Sequence, residues 1–126
     1  MKKLKLLKNI FFYGFCIFMT TCFLSLIITK ISTGKATVFG YRPIFVITGS
    51  MEPTINAKSF VIVKPIDAED VKIGDIVTYK TDGKTIIHRV IDITEEGMFV
   101  FKGDNNASPD PLVSSEQIGY IVIWMP

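Results

Sequence analysis

Between Ile10 and Thr29 the chain reads IFFYGFCIFMTTCFLSLIIT, twenty residues without a charge. At about 1.5 Å per residue, a helix of that length covers the roughly 30 Å hydrocarbon core of a bilayer. The run is apolar around the whole helical circumference, so water would tolerate it only if other elements surrounded it. With 126 residues in all, the chain has room for one further compact domain and nothing to enclose such a helix. A secretory signal has a shorter apolar stretch of about 7–15 residues and a small-residue cleavage site, which Ser32-Thr33-Gly34 matches poorly. Residues 10–29 are therefore expected to form an uncleaved transmembrane anchor, and they account for much of the 48% hydrophobic content.

Charge sets the orientation. Lys2, Lys3, Lys5 and Lys8 crowd the N-terminal flank, whereas Lys30, Lys35 and Arg42 are dispersed beyond the apolar run. Positive-inside bias predicts a cytosolic basic flank at residues 1–9, the anchor at 10–29 and an extracytoplasmic domain at 30–126, in a single-pass cell-membrane protein. Residues 1–30 carry five lysines and no acid, while residues 31–126 carry nine basic and twelve acidic side chains, for a balance of −3. The basic block flanks the anchor and does not describe a nucleic-acid surface, so membrane lipid is an expected contact and nucleic acid is not.

Beyond the anchor, short apolar stretches rich in valine and isoleucine alternate with turn residues, which predicts a mainly β domain. The expected strands are Ala36–Phe39, Ile44–Ile47, Ser59–Lys64, Asp75–Lys80, Thr85–Ile93, Met98–Lys102 and Ile118–Ile123, with a helical turn at Asp67–Asp70. Asp82-Gly83 between two apolar runs is a hairpin signal. Cys16 and Cys22 both fall in the anchor and do not share a helical face, which leaves the outer domain without a disulfide scaffold. One histidine and no external cysteine make a zinc site a poor fit, so no metal and no cofactor are expected.

Ser50 lies in Thr48-Gly49-Ser50-Met51-Glu52-Pro53-Thr54, and the one histidine, His88, follows in the same domain. A serine hydroxyl attacks a carbonyl only when a base takes its proton, and an imidazole, with an ordinary pKa of about 6.5, is the side chain suited to that task. The flanking residues do not form the Gly-x-Ser-x-Gly elbow of α/β-hydrolases. Taken alone, the segment reads more readily as a solvated or helix-capping turn.

Four segments together carry a resemblance. Gly49-Ser50-Met51-Glu52-Pro53-Thr54 is similar to the nucleophile box of signal peptidase I. Lys72-Ile73-Gly74-Asp75-Ile76-Val77, Ile87-His88-Arg89-Val90-Ile91 and Lys102-Gly103-Asp104-Asn105-Asn106 resemble the next three boxes, in the same order. Histidine at 88, where most bacterial enzymes have lysine, resembles the endoplasmic-reticulum and archaeal branch, which also occurs in Gram-positive bacteria. The resemblance implies a signal-peptidase-like β catalytic domain at 30–126 that cleaves signal peptides from exported preproteins. It implies Ser50 as nucleophile and His88 as general base, with two acids, Asp110 as the direct partner of His88 and Asp104 supporting the site. Asp104 reads equally well as turn chemistry in Gly-Asp-Asn-Asn.

Within that reading, the Ser50 backbone N–H and the Thr48 hydroxyl are candidates for the oxyanion pocket, with a purely structural role for Thr48 still open. Met51 is expected beneath the nucleophile turn. Arg89, one strand position from His88, is expected on the opposite face in a structural role. Ile44, Val46 and Ile86 are expected to line pockets admitting small side chains before the scissile bond, along the walls Ile44–Thr48 and Thr85–His88. Two other classes stay open. One is a non-catalytic anchored β module binding extended peptides; the other is a LexA-like self-cleaving serine protease, which would ordinarily use a lysine base. Partner subunits are not legible in the chain.

Overall fold

The computed structural model describes residues 2–126, which divide between Gly40 and Tyr41 into two compact units. The first unit is built on α1, Lys2–Thr33, long and apolar enough to cross a membrane, with none of its residues buried. The helix outruns the expected anchor at both ends; at the N-terminal end, lysine and leucine in the basic flank are good helix formers. It stops at Gly34, whose φ of +70° is the left-handed conformation of a C-terminal cap; Gly34 N–H donates to Lys30 O at 3.0 Å.

The expected strand at Ala36–Phe39 does not form. Phe39 and Gly40 take φ of +51° and +86°, a turn rather than an extended ladder. The backbone before it bonds to helix side chains: Thr37 N–H donates to Thr29 Oγ1 at 3.1 Å, and Phe39 N–H to Ser25 Oγ at 3.0 Å. Hydroxyls in the last turns of α1 thus take the donors that a neighbouring strand would have used.

The second unit is a six-stranded antiparallel sheet: β1 (Arg42–Val46), β2 (Ser59–Pro65), β3 (Ile76–Thr81), β4 (Lys84–Ile93), β5 (Phe99–Lys102) and β6 (Ile118–Trp124). Their order across the sheet is β1-β2-β6-β3-β4-β5. These six correspond to the remaining expected strands, with ends shifted by at most two residues. The turn expected at Asp67–Asp70 is a 3-10 helix at Ala68–Asp70; a second at Ser115–Gln117 was not foreseen.

The β3–β4 hairpin turns on two residues, Asp82 and Gly83, with φ of +47° and +73°. Positive φ at both central positions matches the twist of the flanking strands. Such a tight turn fixes the register: Thr81 pairs Lys84, and therefore Val77 pairs His88.

Apolar side chains form two cores. One gathers Val46, Met51, Ile55, Val61, Val63, Ile76, Ile87 and Tyr120. The other gathers Val71, Val77, Tyr79, Val90, Phe99, Phe101, Val113 and Ile118. The adjacent residues Ile76 and Val77 belong to different cores, so β3 is covered on both faces, which is why four of its residues in a row are buried. Each fully buried valine or isoleucine contributes about 1.5–3 kcal/mol.

Candidate active site

The chain leaves β1 through a tight turn that carries Ser50. Met51 and Ile55, 1% and 0% exposed, drive this turn into the first core. Glu52 N–H donates to Gly49 O at 3.1 Å and Ile55 N–H to Met51 O at 2.9 Å, which hold the backbone around the serine. A second segment, residues 103–106 after β5, clamps the same turn. Asn105 donates from its backbone N–H to Ser50 O (2.8 Å) and from Nδ2 to Gly49 O (3.1 Å). A β-carbon on Gly103 would lie 2.6 Å from Ser50 O, so the close approach requires glycine there.

His88, 5% exposed, reaches Ser50 from β4, with Nε2 3.0 Å from Ser50 Oγ. Its Nδ1 lies 2.5 Å from Asp110 Oδ2. When Nδ1 carries the proton and donates it to the carboxylate, the Nε2 lone pair faces the serine O–H. Asp110 is set by its own backbone: its N–H donates to Phe101 O at 2.8 Å, and Pro109 and Pro111 restrict φ on either side. The same Oδ2 accepts a further hydrogen bond from Tyr79 Oη at 2.8 Å. Burial, reinforced by the adjacent Asp110 carboxylate, holds the Tyr79 phenol well above its ordinary pKa, so it stays protonated and donates.

Asp104 bonds elsewhere. Arg89 Nε and Nη2 donate to its two oxygens at 2.9 and 2.7 Å, and Thr54 Oγ1 donates to Oδ2 at 2.6 Å. The paired guanidinium, more than the threonine, holds the Asp104 carboxyl below its usual range despite partial burial, and the carboxylate raises Arg89 in return. Arg89 Nη1 also donates to Gly74 O at 2.9 Å. Asp104 thus ties the segment after the Ser50 turn to the opposite face of β4, rather than touching the imidazole.

The structure places the other expected residues around one cleft of about 670 Å³. Ile44, Val46 and Thr48 line it from β1 and the turn beyond, Ile86, Ile87 and His88 from β4, and Ser50 lines it as well. Thr48 Oγ1 lies 3.3 Å from Ser50 Oγ. Both walls have an open strand edge. β1 ends the sheet, and β5 pairs with β4 only from Arg89 onward, which leaves Thr85–His88 unpaired on that side. Among the described residues, no three His, Cys, Asp or Glu side chains gather into a metal-holding group.

Three features were not foreseen: the Tyr79 bond to Asp110, the Arg89 grip on Asp104, and the Asn105 clamp. Tyr79 had a usable signal. The two-residue hairpin places Val77 opposite His88, so Tyr79, two positions on, shares the histidine's face. The other two depend on loop paths that carry no local pattern.

The comparisons with known proteins fit this geometry. The chain is 38% identical over 119 residues to signal peptidase I W of Bacillus subtilis (strain 168), an alignment covering 90% of this chain and 63% of that protein. It is 36% identical over 83 residues to the signal peptidase complex catalytic subunit SEC11 of Lodderomyces elongisporus, covering 62% of this chain and 49% of that one. To SEC11C of Homo sapiens it is 33% identical over 73 residues, 53% of this chain and 38% of the human protein. The chain therefore spans less than two thirds of the length of each of these relatives. No solved structure matches it. The Peptidase S24-like family matches residues 30–123, which contain every residue of the cleft and its clamps, and the chain belongs to that family.

Proposed function

We propose that this protein is a membrane-anchored serine endopeptidase that removes signal peptides from exported preproteins. The observation that carries the proposal is the unbroken chain of contacts from Ser50 Oγ through the His88 ring to Asp110 Oδ2, at 3.0 and 2.5 Å, beside an apolar cleft with two open strand edges. Signal peptidase I W and the SEC11 subunits are named for that activity, and their similarity supports the same reading here.

In this reading Ser50 Oγ attacks the scissile carbonyl carbon while His88 Nε2 takes the hydroxyl proton. The tetrahedral intermediate collapses as His88 returns that proton to the leaving amine, which leaves an acyl-serine and releases one peptide. Water, deprotonated by His88, then attacks the ester carbonyl, and its proton goes back to Ser50 as the second peptide departs. Asp110 keeps the imidazole in the Nδ1–H tautomer and balances its transient positive charge. The Ser50 N–H and the Thr48 hydroxyl are the proposed donors to the oxyanion.

The substrate enters as an extended strand along β1 and Thr85–His88. Ile44, Val46 and Ile86 restrict the pockets to small side chains at the first and third positions before the cut. Residues 10–29 anchor the chain with its N-terminus in the cytosol and residues 30–126 outside, in contact with lipid. Tethering enzyme and preprotein to one membrane raises the effective concentration without tight peptide binding.

The test is processing of a preprotein in membranes by the intact chain. Processing should be lost in Ser50→Ala and in His88→Ala, with no greater loss in the double variant, because the two act as one unit. Labelling by a serine-reactive peptide aldehyde should vanish in Ser50→Ala. Turnover that survives His88→Ala would rule out the assignment.

A further inference from the structure

Tyr79 is a buried phenol, 3% exposed, for which the chemistry above has no use. Its hydroxyl donates to the same Asp110 oxygen that meets His88 Nδ1. We infer that Tyr79 is a positioning residue for the reaction, fixing and tempering the Asp110 carboxylate that faces His88; this rests on the Ser50–His88–Asp110 reading proposed above.

The packing favours a specific role over a filling one. The Tyr79 ring stacks on Phe101 with centroids 4.6 Å apart, and Phe101 O accepts the Asp110 N–H at 2.8 Å. One aromatic pair therefore holds the acid at both ends, by its backbone and by its carboxylate. Phenylalanine would fill the same apolar space, so the hydroxyl adds only the bond to Asp110. With two donors on Oδ2, the carboxylate cannot turn about its terminal torsion without breaking one of them. The phenol also draws off part of the charge on Oδ2, so the carboxylate pulls less strongly on the imidazole proton.

Without that donor, Asp110 directs its full charge at His88 and favours the imidazolium, which cannot act as base. The ionisable groups facing the imidazole are Asp110 from its loop and Tyr79 from β3. Lys84 lines the same cleft from the start of β4, while Arg89 and Asp104, with Lys102 acting on Asp104, pair on the other face.

The chain's single histidine gives a direct readout. With 15N-histidine in the chain of residues 1–126 in detergent micelles, one imidazole is followed through a pH titration, in parallel with cleavage of a fluorogenic peptide carrying alanine at the first and third positions before the cut. Tyr79→Phe should lower kcat about 10-fold with KM within about twofold, and move the imidazole midpoint and the acid limb of the rate profile up by about half a pH unit. Added to Asp110→Asn, it should cost nothing further. An unchanged kcat and midpoint in Tyr79→Phe overturn the inference. So does a loss that adds in full to that of Asp110→Asn and comes with a lower melting temperature at an unmoved midpoint, since that is packing alone. Turnover retained by Ser50→Ala would instead bring down the underlying reading, which separates the two failures.

Discussion

The two faces of β4 each hold one carboxylate from the loop after β5, and the two couples differ in what their cationic partner can do. On one face His88 meets Asp110; on the other, one residue along, Arg89 meets Asp104. A guanidinium stays charged throughout the ordinary pH range, so Arg89–Asp104 is a permanent ion pair that also seizes Thr54 and Gly74 O. An imidazole gains and loses its proton near neutrality, so in the proposed reaction His88–Asp110 would stabilise a charge that exists for only part of a cycle. The strand uses its period of two to keep a fixed staple and the proposed base apart while spacing them by a single residue.

The sharpest way to break this comparison is to neutralise each acid in turn. Asp110→Asn is expected to lower kcat by about 10³–10⁴-fold, with the melting temperature nearly unchanged, because the amide offers the imidazole the wrong partner. Asp104→Asn should do the reverse, keeping most of its turnover and losing about 1–3 kcal/mol of stability as Arg89 is left half-paired. Turnover and melting temperature, measured for both in one detergent, decide the matter. A stable but inactive Asp104→Asn beside a fully active Asp110→Asn would reverse the two roles.

A smaller effect is expected at the clamp. Gly103→Ala brings a methyl against the Ser50 carbonyl and the Asn106 amide, and should cost about 1–3 kcal/mol with a loss of turnover as the serine shifts. An alanine variant with wild-type kcat and stability would show that this loop does not set the position of Ser50.

The smallest effect sharpens the staple through pH. The Arg89 hydrogen bonds depress the folded-state pKa of Asp104 below the unfolded value of about 3.9. Its contribution to stability is therefore complete above about pH 4 and is lost as pH falls through the folded pKa. The gap in melting temperature between the wild type and Asp104→Asn should narrow on acidification from pH 5 to 2. A constant gap would mean that the pair contributes nothing through charge.

The sequence revealed these two couples unequally. Ser50 and His88 stood out because nucleophile and base chemistry restricts residue type and the flanking boxes match a known order, while Asp110 and Asp104 were both expected from the resemblance; the structure brings Ser50, His88 and Asp110 together and leaves Asp104 with Arg89. Six strands were legible because valine and isoleucine alternate with turn residues, and Asp82-Gly83 signalled the hairpin that joins β3 to β4. The Ala36–Phe39 segment misled because its composition favours a strand, while Thr29 and Ser25 hydroxyls and two positive-φ residues draw it into a turn. Arg89 was placed on the correct face by alternation alone. Its partner was not, since a bidentate pair across a loop leaves no periodic trace.

The place of β6 in the sheet bears on how the protein is made. β6 is the last of the described strands and sits between β2 and β3, joining the pair that leads into Ser50 to the trio around His88. A growing polypeptide that has already exposed Ser50, His88 and Asp110 still has these two groups of strands unjoined until residues 118–124 arrive. Long-range closure of this kind is slow and comes late. Residues 118–124 are thus what joins the half of the sheet leading into Ser50 to the half carrying His88.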